Sequence, residues 1–299
     1  EAAVKLARKY AADNGAGPEA REIITFEGSF HGRTIAMVTA TSQPKYQKGF
    51  EPLPGGFTYV PFNDFDAISK AVSDKTCAIM VEPVQGEGGI MPAAPGFLKH
   101  LRELCDKHDA LLIYDEVQCG MGRTGKLFAH QHEEGAEPDI MTLAKALGCG
   151  VPIGATLVGK KAEQTFQFGS HGSTYGGNPM MCAVAYTALQ KINSPAVMQN
   201  VARQSEALMS GLRKIGDDLG LFKEVRGRGL MIGAELNEPW HGKAGAISET
   251  CRQHGLLTLV AGPNVMRLVP PLNITDEEVA AGLSRMTEAL ASFAQEQAA

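Results

Sequence analysis

The sequence of 299 residues predicts a three-layer α/β fold, in which a mostly parallel sheet is covered by helices on both faces and a smaller α+β domain follows. Three observations carry this expectation. Short apolar runs bounded by turn residues recur through the first two-thirds of the chain, amphipathic stretches of helical length separate several of them, and long helical patterns take over from about residue 178. Near-continuous apolar strands between helices belong to a sheet buried on both sides, since a half-solvated strand alternates apolar with polar residues.

The elements follow in order. Glu1 to Tyr10 is helical, with apolar residues at 3, 4, 6, 7 and 10, and no capping residue precedes it. Strands are predicted at Glu22–Phe26, Phe57–Val60, Cys77–Val81, Ala110–Tyr114, Asp139–Thr142 and Ala155–Val158, with amphipathic helices at Asp64–Val72 and Pro95–Lys107. Asn178-Pro179 reads as an N-cap followed by proline at the first helical position and opens a helix to Ile192; Ser194-Pro195 opens another to about Leu219. Beyond it, Leu230–Glu235, Leu256–Val260 and Met266–Val269 read as strands, and Thr275-Asp-Glu-Glu278 is a capping box for a last helix to about Ala294. The domains are placed at 1–192, the larger, and 193–299, the smaller.

Composition narrows the function. With 44% hydrophobic residues the chain can bury a substantial core. Its 28 basic and 33 acidic residues give a net charge of −5, and no basic cluster is interleaved with aromatics, which argues against nucleic acid and anionic membranes as partners. No signal peptide and no bilayer-length apolar stretch is read, and six cysteines without a CxxC pair fit reduced core thiols, so a cytoplasmic protein is expected. His130 and His132 are the only close histidine pair, and a solvated helix face explains them better than a metal site.

Two residues suggest the chemistry. Asp115 closes the apolar run Ala110–Tyr114, and Lys145 follows thirty residues later in Thr142-Leu-Ala-Lys-Ala-Leu-Gly148. A carboxylate and an amine at strand ends suit an enzyme holding pyridoxal phosphate as a Schiff base, with the lysine as imine partner and general base and the aspartate keeping the pyridine nitrogen protonated. Each residue alone also fits a plainer role, a helix cap for the aspartate and a snorkelling side chain for the lysine.

The neighbouring segments add to this. Gly28-Ser-Phe-His-Gly-Arg-Thr34, Val81-Glu-Pro-Val-Gln-Gly-Glu-Gly88, Asp115-Glu-Val-Gln118, Gly120-Met-Gly-Arg-Thr-Gly125 and His171-Gly-Ser-Thr-Tyr-Gly-Gly-Asn-Pro179 stand in the order in which they occur in class III aminotransferases, and the chain resembles that family over essentially its whole length. The resemblance implies the pyridoxal-phosphate transferase fold of type I. It puts Lys145, Asp115, Glu116, Val117, Gln118 and Phe30 around the cofactor, with Phe30 and Val117 against opposite ring faces and Gln118 on the phenolic oxygen. Ser173 and Thr174 would serve the phosphate of a neighbouring subunit, which makes a homodimer the working unit, and Ser173 is placed in the substrate set as well. Arg33 and Arg267 would grip substrate carboxylates, the planar fork favouring arginine, and Glu87 would pair with Arg267 when a substrate lacks a carboxylate there.

The implied reaction moves the terminal amino group of N2-acetylornithine to 2-oxoglutarate, with succinylornithine, ornithine and 4-aminobutyrate as alternative donors. The resemblance also implies a further family segment upstream of Glu1 that cradles the cofactor phosphate, so weakened cofactor retention is expected. A catalytically silent binding protein of the same fold is the alternative from a different class. A nucleotide-binding P-loop fails, because Gly120 to Lys126 matches its first seven positions but Leu127 stands where serine or threonine must reach magnesium.

Overall fold

The computed structural model describes residues 1–298, which fall into two compact units. The first comprises Glu1–Gln85, Ala93–Met121 and Phe128–Lys191; the second takes Gly86–Pro92, Gly122–Leu127 and the chain from Ile192 onward. In chain order the helices are α1 (Ala2–Asp13), α2 (Ile35–Ala40), α3 (Pro44–Gln47), α4 (Phe65–Ala71), α5 (Phe97–Lys107), α6 (Pro179–Ile192), α7 (Pro195–Leu219), α8 (Ala244–Gln253) and α9 (Asp276–Ala298). The strands are β1 (Glu22–Phe26), β2 (Phe57–Val60), β3 (Thr76–Val81), β4 (Val84–Gln85), β5 (Met91–Pro92), β6 (Leu111–Asp115), β7 (Ile140–Leu143), β8 (Ala155–Val158), β9 (Phe222–Arg228), β10 (Met231–Leu236), β11 (Leu259–Val260) and β12 (Val265–Leu268).

The first unit is built on a six-stranded sheet of order β2-β1-β3-β6-β7-β8, parallel except for the last strand. Alternation along each strand feeds two cores. On one face Ile23, Ala78, Met80, Leu111 and Ile113 pack with Val4, Leu6 and Ala7 of α1 and Met37 of α2. On the other, Ile24, Phe26, Ile79, Val81, Leu112 and Tyr114 pack with Ile68 of α4 and Phe97, Leu98 and Leu101 of α5. Each fully enclosed aliphatic side chain contributes about 1.5–3 kcal/mol, which is why these strands read as unbroken apolar runs. Buried Cys77 and Cys105 belong to the same packing, and burial pushes both thiols up to about 12, out of reach of thiolate chemistry at neutral pH.

The second unit holds an antiparallel sheet of order β11-β12-β10-β9, with α7, α8 and α9 contributing to a single core. The capping box that opens α9 is formed in both directions: Thr275 N–H donates to Glu278 Oε2 at 2.9 Å, and Glu278 N–H to Thr275 Oγ1 at 3.2 Å. Arg123 is tied into this unit by donating to the carbonyls of Leu230 (3.2 Å) and Pro270 (2.5 Å); burial pushes its guanidinium down to about 10. Gly229, at φ +57, lets the turn pass so near that an added Cβ would lie 2.5 Å from the Arg123 carbonyl oxygen.

The α/β class and the parallel sheet follow the sequence expectation, and several details differ. β8 runs antiparallel to β7, since the turn after Leu143 sends the chain straight back along the same edge. The strand expected at Leu256–Val260 shrinks to Leu259–Val260, and α9 runs past Ala294 to Ala298. β9 and α8 were not anticipated. Phe222-Lys-Glu-Val-Arg-Gly-Arg228 carries charge on most positions because it is an edge strand, where Lys223 and Arg226 both reach Glu235 of β10 and only Phe222 and Val225 are buried. Among the described residues no helix is long and apolar enough to cross a membrane.

Candidate active site

Four adjacent strands of the first unit, β1, β3, β6 and β7, deliver polar residues at their carboxyl ends, where open parallel sheets bind ligands. A cleft of about 120 Å³ lies there, lined by Phe30, His31, Gly32, Glu82, Asp115, Val117, Gln118 and Lys145. Asp115 and Lys145 meet there through strand pairing. Asp115 stands opposite Thr142 in the parallel ladder, so Lys145, three residues further on, emerges beside it.

Asp115 is 6% exposed. Its Oδ2 lies 2.8 Å from His31 Nδ1, and its Oδ1 accepts from Val117 N–H (3.1 Å) and the Thr142 hydroxyl (3.4 Å). Lys145 is exposed and begins a short 3₁₀ turn, Lys145–Leu147. Its amine has no hydrogen bond or ion pair among the described residues. Its φ is +38, in the left-handed region that costs a non-glycine residue about 1–3 kcal/mol. Hydrogen bonds from Leu147 N–H to the Ala144 carbonyl (2.8 Å) and from Gly148 N–H to the Lys145 carbonyl (3.1 Å) hold the turn in that conformation.

The loop after β1 forms the opposite wall. Phe30 N–H donates to Glu82 Oε1 at 2.9 Å, His31 N–H to Thr41 Oγ1 at 2.8 Å, and the Gln43 amide to the carbonyls of Gly28 and Ser29. Gly32, at φ +139, closes the loop in a conformation L side chains rarely adopt. Arg33 is exposed and lies over the rings of Phe30 (5.2 Å) and Tyr46 (4.8 Å), themselves edge-to-face at 5.2 Å.

Of the residues singled out in the sequence, the cleft therefore brings together Phe30, Asp115, Val117, Gln118 and Lys145, with Arg33 packed behind Phe30. Glu116 is a correction. Strand alternation turns its carboxylate away from its neighbour, and it accepts from Ala129 N–H (2.6 Å), His130 N–H (2.9 Å) and His130 Nδ1 (2.8 Å), anchoring the 3₁₀ turn Ala129–His132. Ser173 and Thr174 do not line the cleft. Both are exposed, in a loop where Ser173 Oγ accepts from Gly176 N–H at 3.1 Å.

In the second unit, Arg267 of β12 meets Glu87 at 2.5 Å; the two side chains are largely shielded from solvent. His31, Gly32 and Glu82 line the cleft without having been singled out, although they stand inside the segments Gly28–Thr34 and Val81–Gly88 quoted for other residues. The Gly120–Lys126 segment forms turns and leads into a short 3₁₀ helix, with no long helix to receive a phosphate. Among the described residues no three or more histidine, cysteine or acidic side chains are placed to hold a metal.

An amine free to attack a carbonyl, a shielded carboxylate able to balance a heteroaromatic cation, and an aromatic wall make a set suited to amino-group chemistry on a flat cofactor. The aminotransferase class III family matches residues 1–290. The acetylornithine aminotransferase of Xanthomonas campestris pv. campestris is 59% identical over 294 residues, which is 98% of this chain and 72% of that protein. The enzyme of that name from Neisseria meningitidis serogroup A is 50% identical, covering 98% of this chain and 74% of its own. Among solved structures, N-acetylornithine aminotransferase from Stenotrophomonas maltophilia superposes with a TM-score of 0.85 at 50% identity, covering 98% of this chain and 71% of that one. Ornithine aminotransferase from Toxoplasma gondii gives 0.93 at 34% identity, covering 99% and 70%. With a matching family pattern across nearly all its length and relatives this similar, the chain belongs to the class III aminotransferases.

Proposed function

We propose that this chain acts as an acetylornithine aminotransferase, moving the terminal amino group of N2-acetylornithine to 2-oxoglutarate and yielding N-acetylglutamate semialdehyde and glutamate, a step of arginine biosynthesis. The observation that carries the reading is the convergence of Asp115 and Lys145 on one cleft. Identities of 50–59% to relatives bearing that enzyme's name support the choice of donor.

The residues present fit pyridoxal phosphate as cofactor. Lys145 offers an amine without a competing partner, Asp115 a carboxylate held at 6% exposure, and Phe30 and Val117 apolar walls. When bound, the cofactor supplies an aldehyde that takes up amino groups and a ring that withdraws electrons from the carbon bearing them. The protein does the rest. Lys145 Nζ takes the proton from the substrate carbon bearing the reacting amine and returns it on the cofactor side, a single base serving both directions. Asp115 balances positive charge on the pyridine nitrogen, which keeps the ring electron-poor. Gln118 offers its side-chain amide to the phenolic oxygen.

Two arginines are proposed to read the substrates. Arg33 grips the α-carboxylate of the donor, whose reacting amine lies at the far end of its carbon chain, and Arg267 grips a carboxylate of 2-oxoglutarate or glutamate, with Glu87 as its partner when that group is missing. Replacing Arg33 by alanine is expected to raise the donor KM about tenfold or more, the loss of a bidentate carboxylate contact, while the Kd for pyridoxal phosphate stays within about threefold. An unchanged donor KM removes this role.

The working unit is proposed to be a cytoplasmic homodimer in which Ser173 and Thr174 of one subunit complete the phosphate site of the other. Exposed Tyr175, Met180 and Tyr186 in the same stretch support this, because large apolar groups in one patch mark an association surface. The test of the whole reading is a comparison of initial rates with 2-oxoglutarate on N-acetylornithine, N-succinylornithine, ornithine and 4-aminobutyrate. Preference for N-acetylornithine by about tenfold in kcat/KM is expected, and preference for a free diamine or for 4-aminobutyrate overturns it.

A further inference from the structure

His31 lines the cleft, and its side chain is fully enclosed, 0% exposed. Nδ1 is 2.8 Å from Asp115 Oδ2. A carboxylate only accepts, so the hydrogen of this contact sits on Nδ1, and Nδ1–H donates. The other ring nitrogen, Nε2, is buried with no hydrogen-bond partner among the described residues. An unpaired polar atom in a closed environment costs stability, so a residue needed only to fill this space would be better apolar.

What the imidazole supplies is a second tether. Asp115 Oδ1 is already held by Val117 N–H and Thr142 Oγ1. With those contacts alone the carboxylate could swing about its Cβ–Cγ bond, a torsion with broad and shallow preferences. The donor on Oδ2 closes that freedom. The backbone that carries the ring is anchored, because the His31 N–H donates to Thr41 Oγ1 and the preceding Phe30 N–H to Glu82. The contact joins positions 31 and 115 through the adjacent strands β1, β3 and β6.

We propose that His31 is a positioning residue that acts through Asp115, fixing the rotamer of its carboxylate so that the negative charge faces the cleft. The proposal rests on the cofactor reading above, in which that charge meets the pyridine nitrogen of pyridoxal phosphate. His31 touches neither substrate nor reacting atoms. Its contribution is the orientation of a group that does.

The test uses the purified protein and four variants: His31→Leu, His31→Asn, Asp115→Asn and the double variant of His31→Leu with Asp115→Asn. The Kd for pyridoxal phosphate is measured by equilibrium dialysis, alongside kcat, donor KM and the melting temperature without cofactor. His31→Leu is expected to weaken cofactor binding and lower kcat by about tenfold each, the size of a lost hydrogen bond to a charged group, with donor KM nearly unchanged. His31→Asn places an amide N–H where Nδ1 stood and should recover most of both losses. In the Asp115→Asn background, His31→Leu should cost little more, because residues acting as one unit are not additive.

If Leu and Asn behave alike, or if the His31→Leu cost is the same in both backgrounds, the positioning role is overturned. Should His31→Leu fail to fold, His31→Gln replaces it: its amide reaches the Nε2 position, so weak binding is expected, and wild-type affinity overturns the proposal. A wild-type protein that takes up no pyridoxal phosphate overturns the cofactor reading together with this one. Normal uptake with an indifferent His31 removes this proposal alone.

Discussion

Replacing Lys145 by alanine is expected to reduce kcat by about 10⁴-fold or more, because a single amine serves as tether and as the base for both proton transfers. The loss should not come from unfolding. Lys145 is exposed, its side chain has no described partner, and the turn is held by the main chain of residues 144–148. Pyridoxal phosphate added to the wild-type protein and reduced with borohydride should add its mass to the peptide containing residue 145 and to no other. The variant should take up none covalently. A companion substitution separates chemistry from strain. Lys145→Gly removes the same amine but suits φ +38, so it should melt above Lys145→Ala by an amount equivalent to about 1 kcal/mol. Activity within about tenfold of wild type in either variant would place the base elsewhere.

Asp115→Asn is expected to lower kcat by about 10²–10³-fold, since a neutral amide removes the fixed charge aimed at the site of developing positive charge. The fold should tolerate it. The amide oxygen can still accept from Val117 N–H, leaving His31 as the contact disturbed. Cofactor affinity should fall as well, and both losses should appear with every amino donor, which distinguishes this variant from Arg33→Ala. The decisive measurement is the single-turnover rate with saturating cofactor: a rate within about threefold of wild type means that Asp115 carries no electrostatic role.

The fold was legible wherever burial on both faces wrote an apolar run. β1, β2 and β8 carry the predicted bounds, and β6 and β7 shift by one residue because their mutual pairing runs on to Asp115 opposite Thr142, past the end of the apolar run in β6. β9 was hidden by its charges, which an edge strand needs and a core strand forbids. α8 was hidden because Ala244-Gly-Ala-Ile opens with small residues and buries only Ala244, Ile247 and Cys251. The site divides similarly. Asp115 and Lys145 could be read because each ends a run that is itself visible. The pairing of His31 with Asp115 could not, because it joins residues 84 positions apart through a strand order that no local pattern encodes. Glu116 misled because a conspicuous acid beside a conspicuous acid invites a shared role, whereas consecutive positions at a strand end face opposite ways.

That last contrast makes the six residues from Ala110 to Asp115 intolerant of insertion or deletion. A single added codon there would turn Asp115 toward the His130 turn and bring Tyr114 to the cleft, while a single lost codon would bring Glu116 to the cleft and leave Val117 to that turn. Hydrophobicity would scarcely object, since Leu111 to Tyr114 are apolar toward both layers and either phase would bury them. Fidelity in this stretch therefore rests on its polar ends, and a one-residue slip should yield a protein that remains compact yet catalytically dead.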